Sequence, residues 1–207
     1  MSSFKYKVGI DEVGRGPVAG PVAVCATFIE VRNEDYLKSE LCGMRDSKKI
    51  SEKKRVVFFE KIKNLKNCNM IFSSVVFVSA KDIDMIGIVL SIQKALDMAL
   101  ENIFKNEKLK KINKKEVEVL LDGGLKCSNE FLNQKTIIKG DDKEFVISVA
   151  SVTAKVMRDK KMIEYGNKFP EYLFEKHKGY GTKAHMEAVK KYGLLNIHRK
   201  TFLRRFL

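Results

Sequence analysis

FKYKVGIDEVGRGPVAGPVAVCATFIEV, residues 4–31, is the stretch that decides the fold. Residues 4–10 read as a strand that runs into the acidic pair Asp11-Glu12, and residues 22–31 are an apolar, β-branched run that reads as a second strand. Gly14-Arg15-Gly16-Pro17 between them must turn tightly, and glycines there let backbone approach a ligand in conformations that a side chain would block. Two carboxylates leaving a core strand beside such a turn make a candidate site, because functional groups of α/β sheets gather where strands end.

Working outward, Ser51 is placed to cap a helix over 55–65, and residues 70–78 read as a strand. Ile83, Ile86, Leu90, Leu96, Leu100 and Phe104 form one apolar stripe, which predicts a continuous helix over 82–104. Two short strands are expected at 116–121 and 136–138, each running into an acidic glycine turn, Asp122-Gly123-Gly124 and Lys139-Gly140-Asp141. Helices are expected over 146–168 and 183–191, the first with Ser148, Ala150, Ser151 and Ala154 small enough for close backbone approach. Strands first and strands mixed with helices later predict a mixed α/β sheet. At 207 residues, with no repeat or linker, the chain is expected to be a single domain over 1–207.

Hydrophobic residues at 44% can fill a core, which excludes a disordered scaffold. The longest uncharged stretch, 16–29, is broken by Pro17 and Pro21, so no membrane span is expected, and the N-terminus lacks the apolar core of a signal peptide. A cytoplasmic protein is the expectation. Cys25, Cys42, Cys68 and Cys127 form no CxxC pair and should be reduced thiols; with His177, His185 and His198 they make no zinc pattern. A formal charge of +14 suits a polyanionic partner, although lysine added for solubility would give the same number.

Asp11, Glu12, Asp122 and Asp141 each sit where an apolar strand meets glycine. Clustered carboxylates repel and are stable together only with protons or cations, and all-oxygen ligation favours Mg²⁺ or Mn²⁺ over zinc or copper. A turn or cap role competes for each, most strongly for Asp122 in its Asp-Gly turn. Asp46-Ser47-Lys48-Lys49 before a helix start could bind phosphate or be an ordinary solvated entry. Tyr180, between Gly179 and Gly181, suits a ring set against a sugar or base, or simply a tyrosine buried under a loop.

Taken together, GIDEVGRGPVAGPV at 9–22, DSKKIS at 46–51, LLDG at 120–123, KGDDKEFVISVASVTAKVMRD at 139–159 and HKGYGTKAH at 177–185 resemble ribonuclease HII, the type 2 ribonuclease H of bacteria. The blocks stand in the family's order across nearly the whole chain. The resemblance implies an α/β ribonuclease H-like fold: a five-stranded mixed sheet flanked by helices, with a C-terminal helical extension over about 166–207. It also implies that Asp11, Glu12, Asp122 and Asp141 are the catalytic metal ligands, with Asp142 a rival for Asp141. Gly14, Arg15 and Gly16 would contact the 2′-hydroxyl region through backbone, Tyr180 would stack on the neighbouring deoxyribose, and Lys48 would touch phosphate.

The implied activity is metal-dependent hydrolysis of RNA–DNA hybrids and of duplex DNA 5′ of a single ribonucleotide, with two cations at the transition state. Products would carry 3′-hydroxyl and 5′-phosphate ends. A monomer is implied, with no N-terminal substrate-binding domain of the ribonuclease HIII kind; the C-terminal HRKTFLRRFL shows no sliding-clamp peptide, so no protein partner is expected. Two readings compete: a non-catalytic basic nucleic-acid-binding module, and a structure-specific DNA nuclease on the same fold.

Overall fold

The structure is a computed structural model and describes residues 4–44, 50–128 and 130–204. Strand β1 (Tyr6–Val13) pairs antiparallel with β2 (Val22–Glu30). The sequence pattern ends the first strand at Ile10, but the ladder carries on, with Asp11 opposite Cys25, Glu12 opposite Val24 and Val13 opposite Ala23. The apolar run of β2 keeps offering paired backbone, so the acidic pair lies within the strand's end, not in the turn after it.

Helix α1 (Glu34–Glu40) and helix α2 (Glu52–Asn67) follow, and Ser51 caps α2 by accepting from the Lys54 N–H at 3.3 Å. After β3 (Phe72–Val78), the single long helix expected over 82–104 is two: α3 (Ala80–Ile86) and α4 (Ile88–Phe104). Gly87 separates them at φ 81°, a left-handed backbone that ends one helix and starts the next. The apolar pattern runs straight through the break, and beside it the expected stripe is not buried: Ile86 and Leu90 are exposed, while α4 packs through Ile92, Ala95, Leu96, Ala99, Leu100 and Ile103.

Strands β4 (Val117–Asp122) and β5 (Gln134–Ile137) complete a five-stranded sheet in the order β3-β2-β1-β4-β5, antiparallel on one side of β1 and parallel on the other. Ile10 pairs with Leu121, so Asp11 and Asp122 are the next residues along neighbouring parallel strands. A single turn, α5 (Gly140–Lys143), leads into α6 (Phe145–Lys168).

Strand alternation sets the layers. Val22, Val24, Ala26 and Phe28 of β2 face α4, with Val8 and Ile10 of β1 in the same cluster. On the other face α6 packs with α2 through Val146, Val149, Ile62 and Leu65. Each such fully buried aliphatic side chain contributes about 1.5–3 kcal/mol. The small residues of α6 let it lie at backbone contact: Ala150 and Ala154 cover Cys25, and a Cβ on Gly9 would stand 2.4 Å from the Val146 carbonyl. Among the described residues no helix is long and apolar enough to cross a membrane.

The C-terminal region is helical, with α7 (Phe174–His177), α8 (Lys183–Tyr192) and α9 (Lys200–Leu203) around Tyr172, Phe174 and Met162. All three histidines cluster there, His185 and His198 buried and His177 half-buried. His177 and His185 stack at 4.3 Å between ring centroids, and His185 Nε2 lies 3.1 Å from His198 Nε2. The Leu195 N–H donates to His198 Nδ1, and His185 Nδ1 donates to the Tyr180 carbonyl, so one proton between the two Nε2 atoms satisfies both rings in the neutral form.

Burial lowers the pKa of all three, His185 to about 4, with the charges of His177 and His198 adding to burial at His185. Between the ordinary 6.5 and about 4 the unfolded chain therefore binds more protons than the folded one. Stability supplied by the neutral cluster is complete above about pH 6.5 and is lost as pH falls through that window. In an Asp11→Asn, Glu12→Gln background, which removes two carboxyls whose raised pKa gives the opposite pH dependence, thermal melting should drop on the order of 5 °C from about pH 7 to about pH 5. A melting temperature that holds level or rises over that range would refute the assignment of a neutral cluster.

Candidate active site

Asp11 is 4% exposed and accepts from the Ser151 hydroxyl of α6. Its carboxyl is pushed up to about 8, first by burial and then by the negative charges of Asp122, Glu12 and Asp141, against the pull of Ser151. Glu12 is raised as well, chiefly by burial and by Asp122, while Arg15 Nη1, 3.5 Å from its Oε1, opposes the shift. Asp122 ends β4 and accepts the Gly140 N–H at 2.7 Å, which ties it to the turn that presents Asp141. A Cβ on Gly140 would stand 2.6 Å from Ile147 Cδ1 and 3.3 Å from Asp122 Oδ1, so this turn needs glycine to close on the carboxylate.

Asp11, Glu12 and Asp122 line a cleft of about 430 Å³ together with Gly14, Arg15, Gly16 and Tyr180. Gly14 takes φ 91° and its missing Cβ would fall 2.0 Å from Arg158 Nε, so only glycine fits. The missing Cβ of Gly16 faces Tyr180 Cε1 at 3.8 Å, which sets the turn across from a half-exposed ring. Asp141 is buried in the first turn of α5, close enough for its charge to raise Asp11. Asp142 is exposed and lines a separate groove with Glu34 and Lys38. Lys48 lies outside the described residues.

Four residues at or behind this cleft escaped sequence reasoning as functional groups. Arg55 and Lys155 line it. Arg55 Nη1 donates to the Ile50 carbonyl at 2.6 Å, and Lys155 pairs with Asp159 at 2.8 Å. Arg158 and Arg199 are buried behind the turn: Arg158 donates to the carbonyls of Pro21 and Lys178 at 2.9 and 3.1 Å, and Arg199 to those of Gly14, Arg15 and Gly20 at 2.7, 2.9 and 3.0 Å. The available signal was arginine itself, scarce here beside lysine and kept where a planar fork of donors is needed.

Among the described residues no three Asp, Glu, His or Cys side chains stand in a finished coordination sphere. The fit to divalent cations rests on the donor set: all-oxygen, mutually repelling, with a central carboxyl held away from its ordinary ionisation first by burial and then by its neighbours. Cations would supply the missing positive charge. The residues present fit Mg²⁺ or Mn²⁺ chemistry, and Asp11, Glu12, Asp122 and Asp141 are the ones that would hold them.

The family model for ribonuclease HII matches residues 8–205. Over 204 residues the chain is 42% identical to the ribonuclease HII of Caldicellulosiruptor bescii, covering 99% of this chain and 89% of that one. Over 205 residues it is 42% identical to the ribonuclease HII of Fusobacterium nucleatum, covering 99% and 88%. The crystal structure of ribonuclease H2 from Pyrococcus horikoshii superposes with a TM-score of 0.73 over 97% of this chain and 96% of that one, and at 24% identity it speaks to the fold alone.

Proposed function

The chain belongs to the ribonuclease HII family of metal-dependent endoribonucleases that act on RNA–DNA hybrids, and from that premise we propose that it also cuts duplex DNA 5′ of a single embedded ribonucleotide. Membership sets aside the non-catalytic binding module. The observation that supports the finer reading is the convergence, in one cleft, of the acidic cluster with a glycine turn and an exposed tyrosine ring. Cutting next to one ribose requires reading a 2′-hydroxyl, the only group that marks it within a duplex, and a turn with free backbone opposite an aromatic ring suits a sugar.

In this reading Asp11, Glu12, Asp122 and Asp141 are the catalytic residues and hold Mg²⁺ or Mn²⁺. Two such cations, when bound, would supply charge to neutralise the phosphate, to make water a nucleophile near neutral pH and to stabilise the leaving oxygen. The protein's own residues do the placing. Ser151 orients Asp11, and Gly140 fixes Asp122 by its N–H. Arg55 and Lys155 bring positive charge to the same cleft, where backbone phosphates run. Gly14, Arg15 and Gly16 contact the ribose through backbone, Tyr180 stacks on the next sugar, and Lys48 adds a phosphate contact. Water attacks phosphorus and the 3′-oxygen of the preceding nucleotide departs, taking up a proton, which leaves 3′-hydroxyl and 5′-phosphate ends. The chain is read as one domain over 1–207 whose extension from about residue 166 supplies Tyr180, working as a monomer in the cytoplasm.

The test is a labelled DNA duplex with one ribonucleotide, incubated with Mg²⁺, Mn²⁺ or EDTA beside an all-DNA duplex. Metal-dependent cutting 5′ of the ribonucleotide, with the all-DNA duplex intact, is the expected result. Cutting of the all-DNA duplex would favour a structure-specific nuclease, and cutting confined to long hybrids would remove the single-ribonucleotide activity from the reading.

A further inference from the structure

The turn that carries Gly14, Arg15 and Gly16 does not hold itself. Its carbonyls point inward to one side chain, since Arg199 Nη2 donates to the Gly14 oxygen at 2.7 Å and Nη1 to the Arg15 oxygen at 2.9 Å. The Nε of the same guanidinium donates to the Gly20 oxygen at 3.0 Å. Arg199 is itself fixed: it is fully buried, its backbone N–H donates to the Val18 carbonyl at 2.8 Å, and its guanidinium lies 5.2 Å from the centre of the Phe202 ring. The neighbouring residue His198 forms a β-bridge with Ala19.

Peptide geometry turns this clamp into an orientation. The peptide bonds are trans, so each carbonyl points opposite to the N–H of the same peptide unit. The Gly14 carbonyl shares its unit with the Arg15 N–H, and the Arg15 carbonyl shares its unit with the Gly16 N–H. With both oxygens drawn to Arg199, both N–H groups face the other way, on the side of the cleft that Gly14, Arg15 and Gly16 line. Among the described residues neither N–H donates to a backbone carbonyl. Two adjacent N–H groups aimed at one place suit an oxygen acceptor. A turn flanked by glycine flips its peptide units at little steric cost, and a flipped unit would present a carbonyl where an N–H is needed.

We propose that Arg199 is a positioning residue for ribose recognition, its guanidinium locking the Gly14–Arg15 and Arg15–Gly16 peptides with their N–H groups toward the 2′-hydroxyl. The proposal rests on the reading above that this turn contacts the ribose. It places a determinant of substrate discrimination in the C-terminal segment, far along the chain from the turn it controls. Lysine cannot replace it, because an ammonium is a point donor where three carbonyls need a planar fork.

The experiment measures binding without cleavage, in Ca²⁺, of wild type and Arg199→Lys to a DNA duplex containing one ribonucleotide and to the same duplex in all-DNA form. Wild type should prefer the ribonucleotide duplex. Arg199→Lys should bind the all-DNA duplex as wild type does, because the phosphate contacts are untouched, and should lose the preference, roughly tenfold if one well-placed hydrogen bond is at stake. Equal weakening of both duplexes would mean a merely structural role, and an undiminished preference would mean no role; either overturns the proposal. Should wild type itself show no preference, the sugar-reading role of the turn fails first and takes this inference with it. Backbone amide NMR provides a measurement that does not depend on the variant's stability. In wild type the Arg15 and Gly16 N–H resonances should shift with the ribonucleotide duplex and not with the all-DNA one, and identical shifts with both would overturn the proposal.

Discussion

Asp11→Asn should remove hydrolysis almost entirely, by about 10³-fold or more in kcat, while leaving affinity for a hybrid nearly unchanged. The substitution keeps shape and can keep the Ser151 contact, but it takes away the carboxylate that bound cations would hold ionised at the centre of the acidic cluster. Charge stabilisation by bound cations contributes several kcal/mol to a phosphoryl transition state, and about 4 kcal/mol corresponds to about 10³ in rate. Affinity for the duplex comes mostly from cations on the protein meeting phosphates, which the change does not touch. A second readout follows from burial. Asp11 is buried beside three other negative charges, so without metal the asparagine variant should melt no lower than wild type. Added Mn²⁺ should then raise the melting temperature of wild type and do so much less for the variant. Turnover near the wild-type level would sink the assignment of the site, whatever the melting data show.

Asp11, Glu12 and Asp122 could be read from sequence because they stand at the ends of strands that apolar runs make visible, whereas Asp141 reaches them from the first turn of α5. The parallel pairing of β1 with β4 then brings Asp11 beside Asp122 without any further specification. Gly14 was legible for the same reason, since a turn between two apolar strands leaves few other conformations. What stayed hidden was whatever depends on partners distant in the chain. Arg199 and Arg158 look like surface cations in a chain with 40 basic residues, and nothing local shows that three carbonyls of a turn near the N-terminus hold one of them. The break at Gly87 was lost for a different reason: apolar residues continue across it whether they are buried or, like Ile86 and Leu90, exposed, and only the backbone angle at the glycine separates the two helices. The histidines carried no metal spacing, which was legible, but their clustering against Tyr172 and Phe174 arises from packing of the C-terminal helices alone.

Gly16→Ala should separate recognition from folding more cleanly than any other single change in the turn. At Gly16 the backbone does not take the left-handed conformation, and an added Cβ would stand 3.8 Å from Tyr180 Cε1, an ordinary contact. The fold has no reason to object, and the melting temperature should stay within about 2 °C of wild type. The new methyl would nevertheless stand in the cleft between the turn's backbone, where the proposed function places the ribose, and the tyrosine ring, where it places the next sugar. Displacing a reacting group by about 1 Å costs on the order of 10²-fold, so kcat/KM at a single ribonucleotide should fall by about that factor. Gly14→Ala makes the contrast. There φ is 91° and the Cβ would land 2.0 Å from Arg158 Nε, on a guanidinium already held by carbonyls of Pro21 and Lys178 that cannot swing aside cheaply. That variant should lose stability before it loses anything specific. If Gly16→Ala cleaves as well as wild type, the cleft between the turn and Tyr180 is not where these sugars lie, and the turn must meet the substrate through another face.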